Sequence, residues 1–182
     1  YYMEPINCFL PYISPEQIAP VVEELNKTGM VDKIYLMTSN PEAKSYPGCE
    51  ILPVDTLTST QTLRSVYERA EGKNILLYLR PGLIRFGQYA LERMDAVLRE
   101  CKYNRIVYAD YYEIANGTKK NHPLNDYQSG SVRDDFDFGP LLMIKYDVLG
   151  TYLERLCSKT PGLKYAGLYR FRLYCAGIPG GI

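Results

Sequence analysis

Three aspartates fall within four residues in Asp134-Asp135-Phe136-Asp137, the densest supply of hard oxygen ligands in the chain. A Mg²⁺ or Mn²⁺ ion held on phosphate oxygens needs one or two carboxylates of this kind. A carboxylate can also take the proton of an attacking hydroxyl. Alternate residues of an extended segment share a face, which puts Asp135 and Asp137 on one side. Those two are therefore the candidates for catalytic work, and Asp134 for a metal ligand. The same cluster also suits a solvated loop in which aspartates cap turns.

Arg80 follows an apolar run, in Tyr78-Leu79-Arg80-Pro81-Gly82. A guanidinium there would neutralise a diphosphate without a metal. The plainer alternative is a surface arginine before a Pro-Gly turn. Asp110 interrupts another apolar run, Tyr108-Ala109-Asp110-Tyr111-Tyr112-Glu113. Aspartate is disfavoured in strands and costly to bury unpaired. Strand alternation would set Tyr108, Asp110 and Tyr112 on one face, an arrangement fit for a sugar. If the strand ends near Asp110, its carboxylate is simply wet. The single histidine, His122, lies in polar surroundings, and one imidazole builds neither a His-based metal site nor a Ser–His–Asp triad. Neither GxxxxGK[ST] nor GxGxxG is present to grip phosphates.

The elements that would position these groups are legible in the apolar pattern. Ile6–Leu10, Val31–Met37 and Ile75–Leu79 read as buried strands, with Glu50–Val54 a weaker one. Arg105–Ile114 reads as one long strand ended by the turn signal Asn116-Gly117. Leu141–Ile144 reads as a further strand. Helices are expected from Ser14-Pro15 to Gly29, over Thr60–Ala70 with Gly72 as its stop, over Phe86–Cys101, and over roughly Tyr146–Cys157 and Lys164–Ala176. Strand–helix alternation of this kind implies an α/β fold with a mainly parallel, Rossmann-type sheet covered on both faces. The polar stretch Thr118–Gly139 is too long for an ordinary connection, and such loops are usually functional or mobile.

In open α/β sheets, ligands sit beyond the carboxyl ends of the strands. That rule selects Pro11 and Tyr12 after the first strand, Ser39 and Asn40 after the second, Arg80 after the fourth, and Asp110 toward the far end of the fifth.

Bulk properties narrow the partners. The 182 residues read as one domain, 1–182, able to bury roughly 70% of its unfolded surface. The end at Ile182, after Gly180-Gly181, leaves room for a longer natural chain. Charges balance at 21 basic and 21 acidic residues, which argues against a general nucleic-acid or anionic-membrane surface. Eighteen tyrosines and no tryptophan suit a wet cleft, and equally half-buried strand positions. Five cysteines without CxxC spacing speak against a disulfide framework or a zinc site. They fit a reducing compartment, and the expected location is the cytoplasm. No apolar stretch reaches the roughly 18 residues of a membrane helix.

The same segments carry a resemblance. INCFLPYISPEQIAPVVEEL, VDKIYLMTSNPEA, LRSVYERAEGKNILLYL and RIVYADYYEI resemble, in order and spacing, the catalytic domain of family-2 inverting glycosyltransferases, which has the GT-A fold. RDDFDFG and its neighbours look like a bacterial subgroup. The resemblance implies a nucleotide-diphosphate sugar as donor and a glycan or lipid-linked acceptor. It implies donor binding at the strand-end residues Pro11, Tyr12, Ser39, Asn40, Arg80 and Asp110. It would also imply a divalent cation, Mg²⁺ or Mn²⁺, on an Asp-x-Asp at the end of strand four. Here that stretch is Tyr78-Leu79-Arg80-Pro81-Gly82, without a carboxylate, which puts the cation in doubt. The acidic residues that usually end the second strand are replaced by Thr38-Ser39-Asn40. The family's Glu-Asp pair, whose Asp is the general base, is replaced by Lys164-Tyr165-Ala166-Gly167. Two main readings stay open: a transferase whose carboxylates have moved, with Asp135 or Asp137 as base, and a non-catalytic domain of the same fold. A nucleotidyltransferase would be a third, but its Gly-rich, Arg- and Lys-bearing N-terminal signature is missing.

Overall fold

The computed structural model describes residues 4–100, 105–108, 111–115, 118–122, 139–155 and 162–177; for 111–115 and 118–122 it describes the backbone. In chain order the elements are β1 (Ile6–Pro11), α1 (Pro15–Lys27), β2 (Val31–Thr38), β3 (Cys49–Pro53), α2 (Thr60–Ala70), β4 (Ile75–Tyr78), α3 (Ala90–Glu100), β5 (Ile106–Val107), β6 (Tyr111–Ala115), β7 (Thr118–His122), β8 (Leu141–Ile144), α4 (Tyr146–Arg155) and α5 (Gly167–Cys175).

The main sheet runs β3-β2-β1-β4-β8-β5. Strands β1 to β4 are parallel, and β8 runs antiparallel between β4 and β5. The chain is thus an α/β protein with a mainly parallel sheet flanked by helices. The strand order turns back between β1 and β4, which makes the space beyond their carboxyl ends the switch-point crevice.

The central strands β1, β4 and β8 are almost entirely apolar and buried, because both faces of the sheet are covered there. Along β1, Ile6, Cys8 and Leu10 face one core while Phe9 faces the other. The same period-two division separates Ile34 and Leu36 from Tyr35 and Met37, and Leu76 and Tyr78 from Ile75 and Leu77. Ile18, Val21 and Leu25 of α1, with Leu91, Met94 and Leu98 of α3, close the first core. Leu63 and Val66 of α2, Leu149 and Tyr152 of α4, and Phe171 of α5 close the second. Each of these side chains is almost fully buried, which stabilises by about 1.5–3 kcal/mol apiece before entropy is counted.

One polar residue in β1 has a structural task. Asn7 is fully buried. Its Nδ2 donates to the Arg69 and Ala70 carbonyls, both at 3.2 Å, and its Oδ1 accepts from the Lys33 amide. It thereby satisfies the carbonyls that end α2, a role otherwise left to water or a cap.

Two expectations are corrected. The run Arg105–Ile114 is not one strand. Only Ile106 and Val107 join the main sheet, opposite Ile144 and Met143. Tyr111–Ala115 instead pairs with Thr118–His122 as a separate antiparallel hairpin, so part of the expected long loop is strand. Asn116 and Gly117, read from the sequence as a turn, lie outside the described residues. Helix α3 begins at Ala90 rather than Phe86, because Tyr89 sits in the left-handed region at φ 60° and cannot continue a helix.

Candidate functional site

The chain places a cleft of about 270 Å³ at the carboxyl ends of β1, β2 and β3. Pro11 and Tyr12 line it from β1, Thr38 and Ser39 from β2, Asp55 and Thr56 from the segment after β3. Local geometry fixes each wall. The Tyr12 amide donates to the Met37 carbonyl at 3.0 Å, and its hydroxyl donates to the Lys44 carbonyl at 2.9 Å. The Val54 amide donates to the Thr38 carbonyl at 3.0 Å, extending the ladder past β3. After Pro11, Ser14 caps α1 by accepting from the Gln17 amide, and Gln17 Oε1 accepts in turn from the Ile13 amide. Gln17 thereby ties the residue before the cap to the first turn of α1.

Asp55 is the carboxylate of this cleft among the described residues. Its Oδ1 accepts from the Ser59 hydroxyl at 2.5 Å and from the Thr56 amide at 2.7 Å. Ser59 is also the N-cap of α2, accepting from the Thr62 amide at 2.9 Å. The Thr62 hydroxyl donates to the Thr56 carbonyl. The Ser59 hydroxyl, then the Thr56 amide, hold the Asp55 carboxyl below its ordinary range, against the opposing effect of partial desolvation. Asp55 is thus an oriented, exposed anion. Its Oδ1 is occupied by the helix cap and the Thr56 amide.

A second pocket, of about 240 Å³, is lined in part by chain neighbours of residues in the first. Pro81 and Leu57 line the first cleft, while Arg80 and Thr58 line the second. Its other polar walls are Tyr165, Tyr169 and Arg172 from α5 and the turn before it. That turn is pinned to the loop ahead of α2. The Thr60 amide donates to the Leu163 carbonyl at 2.9 Å, and the Thr56 hydroxyl donates to the Lys164 carbonyl at 2.6 Å. Ala166 offers no side-chain cap to α5, and the Leu168 amide donates instead to the Thr58 carbonyl at 2.9 Å. The strand β4 is held from the other side, since the Leu79 amide donates to the Pro140 carbonyl at 2.8 Å.

Of the residues expected from sequence, Pro11, Tyr12 and Ser39 are brought together in the first cleft and Arg80 stands in the second. Asn40 is exposed and outside both; its Oδ1 accepts from the Glu42 amide at 3.0 Å and shapes the turn. Asp110, Asp134, Asp135 and Asp137 lie outside the described residues. The face-sharing of Tyr108, Asp110 and Tyr112 rested on a continuous strand, which the break after Val107 removes. Sequence reasoning missed Asp55 and Arg172. Asp55 had a signal, an aspartate between a strand and the hydroxyl-rich Thr56–Thr60 helix start. Arg172 had none, being one of several polar positions on a short helix.

The chemistry at the end of β4 is cationic. Leu79-Arg80-Pro81-Gly82 brings a guanidinium and no carboxylate, a donor set that does not fit Mg²⁺ or Mn²⁺. Among the described residues no three His, Cys, Asp or Glu side chains gather, and no helix is long and apolar enough to cross a membrane.

No protein-family model and no curated protein matches the sequence. Among solved structures, the 2-C-methyl-D-erythritol 4-phosphate cytidylyltransferase of Francisella tularensis is similar over 93% of this chain and 87% of its own, at 12% identity and a TM-score of 0.40. A likeness of that size carries no weight on function.

Proposed function

We propose that the crevice binds a nucleotide-diphosphate sugar and that the domain transfers the sugar to an acceptor hydroxyl with inversion. One observation carries the reading. A cleft with an oriented carboxylate and hydroxyls adjoins, along the chain, a pocket with two guanidinium groups. A nucleoside diphosphate presents the complementary pair, ribose hydroxyls beside an anion.

The roles follow from the chemistry. Asp55 accepts hydrogen bonds from ribose hydroxyls, as an acidic residue does in other switch-point sites. Pro11, Tyr12 and Ser39 line the space for the base. Arg80 faces the diphosphate, and Asp110 is assigned to the sugar. The acceptor, a glycan or lipid-linked hydroxyl, attacks the anomeric carbon on the face opposite the diphosphate. The new C–O bond forms as the anomeric C–O bond to phosphate breaks, and the nucleoside diphosphate leaves with the electron pair. The hydroxyl proton passes to a carboxylate, for which Asp135 or Asp137 is proposed. The family's cation would meet Arg80 at the end of β4, so charge neutralisation there falls to arginine; Asp134 is the carboxylate proposed for a cation elsewhere.

A thermal-shift screen against nucleoside diphosphates and nucleotide sugars, with and without Mn²⁺, tests the reading. Binding raises stability by RT ln(1 + [L]/Kd), so even weak ligands register at millimolar concentration. No shift with any of them sinks the proposal.

A non-catalytic binding domain is the second reading, and Gly167 favours it. The stretch Lys164-Tyr165-Ala166-Gly167 stands where the family's base would be, and a Cβ at 167 would lie 2.2 Å from the Thr60 nitrogen. No carboxylate-bearing residue fits there. Stoichiometric donor binding with no release of nucleoside diphosphate across a panel of glycan and lipid-linked acceptors would favour this second reading.

A further inference from the structure

We infer that Arg80 and Arg172 form a metal-independent site for a diphosphate in the second pocket. The inference deepens the reading above and rests on it for the nucleotide, while the anion chemistry stands on the pocket itself.

The two arginines come from different parts of the chain. Arg80 leaves the end of β4, and Arg172 lies five residues along from Gly167, the pinned start of α5. Both line one pocket of about 240 Å³, room for roughly eight waters at their liquid volume. No acidic residue is among its described walls. An anion seated in that pocket would have guanidinium donors available from two separate elements. Neither arginine is without a partner, but each carries five N–H donors, and a phosphate uses two at a time. The phenols of Tyr165 and Tyr169 add two O–H donors at the rim.

The pocket is held in shape before any ligand arrives. Arg80 follows Leu79, whose amide is fixed to Pro140. Arg172 is carried by a helix whose first turn is bonded to Thr58 and whose Gly167 packs against the Thr60 backbone. Preorganised donors lose less entropy on binding than a mobile pair would. A diphosphate carries adjacent anionic groups that bidentate guanidinium forks match, which a lysine or a single arginine does not do as well.

The experiment is calorimetric titration of the folded 182-residue chain with inorganic pyrophosphate in EDTA, at about 0.15 M salt to screen loose surface attraction. Saturable binding without metal is expected. Arg80→Gln, at an exposed position, and Arg172→Lys, which keeps the charge and loses the fork, should each weaken it about tenfold. Arg93→Gln on the exposed face of α3 should leave it unchanged. Circular dichroism checks that each variant is folded. Pyrophosphate that binds only with Mn²⁺, or that binds equally to all variants, overturns the inference. A parallel titration with the four common ribonucleosides and with nucleotide sugars separates the two readings. Nucleotide-sugar binding that needs Mn²⁺ and ignores both arginines would leave the transferase reading standing and remove this one. Pyrophosphate binding in EDTA with no nucleoside or nucleotide-sugar binding would do the reverse.

Discussion

Gly167 and Thr60 meet backbone to backbone: a Cβ on Gly167 would stand 2.2 Å from the Thr60 nitrogen and 2.7 Å from the Ser59 carbonyl carbon. That approach lets the Leu168 amide reach the Thr58 carbonyl, so the loop that carries Asp55 and the helix that carries Arg172 form one unit. The two halves of the crevice are coupled through a residue with no side chain.

Gly167→Ala should therefore move α5 as well as destabilise the chain. Overpacking against backbone costs at least about 1–3 kcal/mol, and each kcal/mol lowers Tm by about 2–4 °C for a chain of this size. Thermal unfolding measures the first effect and pyrophosphate titration the second. An alanine variant with wild-type Tm would show that the close approach is not as tight as described.

Gly150 makes a gentler version of the same contact. A Cβ there would lie 2.8 Å from the Tyr67 ring, and that ring stacks on Tyr146 with centroids 4.7 Å apart. A side chain yields more easily than backbone. Gly150→Ala should cost less than Gly167→Ala, and Tyr67→Ala should absorb most of its cost in a double-mutant cycle. Additive losses in the double mutant would contradict the assigned clash.

Much of this was legible before folding was known. The largely continuous apolar runs Ile6–Leu10, Val31–Met37, Ile75–Leu79 and Leu141–Ile144 match strands, since helices cover both faces of the sheet. The strand-end rule pointed to Pro11, Tyr12, Ser39, Asn40, Arg80 and Asp110; Pro11, Tyr12, Ser39 and Arg80 line the two pockets, Asn40 does not, and Asp110 lies outside the described residues. What was not legible depended on partners. Ile106 and Val107 pair with Ile144 and Met143 of β8, while Tyr111–Ala115 pairs with Thr118–His122. Nothing within the run Arg105–Ile114 announces that break. Asp55 escaped notice because its value lies in Ser59, a helix cap four residues on. Arg172 escaped because only the docking of α5 on the Thr58–Thr60 loop aims that face at β4.

The Asp55–Ser59 bond makes a pH prediction. Hydrogen bonding lowers the Asp55 pKa in the folded chain relative to the unfolded one. A depressed carboxylate contributes stability above its unfolded value, about 3.9, and that contribution is lost as pH falls through the lower folded value. Asp55→Asn should therefore lower Tm slightly at pH 7, and the two melting curves should converge in strong acid. Ser59→Ala removes both this bond and the α2 cap and should cost more, about 1 kcal/mol from the cap alone. A wild-type and Asp55→Asn difference that grew on acidification would reverse the sign and refute the assignment.

The last prediction separates binding from turnover. Asp55 sits in the described cleft with one oxygen committed to Ser59 and the Thr56 amide, so its proposed work is on the ribose and is done in the ground state. Asp55→Asn should weaken nucleoside and nucleotide-sugar binding about tenfold and leave pyrophosphate binding unchanged. Asp135 and Asp137 are proposed to act on the acceptor proton, which moves only as the reaction proceeds. Asp135→Asn or Asp137→Asn, whichever is the base, should abolish sugar transfer while donor affinity and Tm stay near wild type. A general base contributes about 10²–10⁴ in rate, so the loss would be plain in an assay of nucleoside diphosphate release. If both variants keep full turnover, neither aspartate is the base. If wild type and both variants bind donor equally and none releases nucleoside diphosphate, the chain binds without transferring, and Arg80 and Arg172 serve a binding domain.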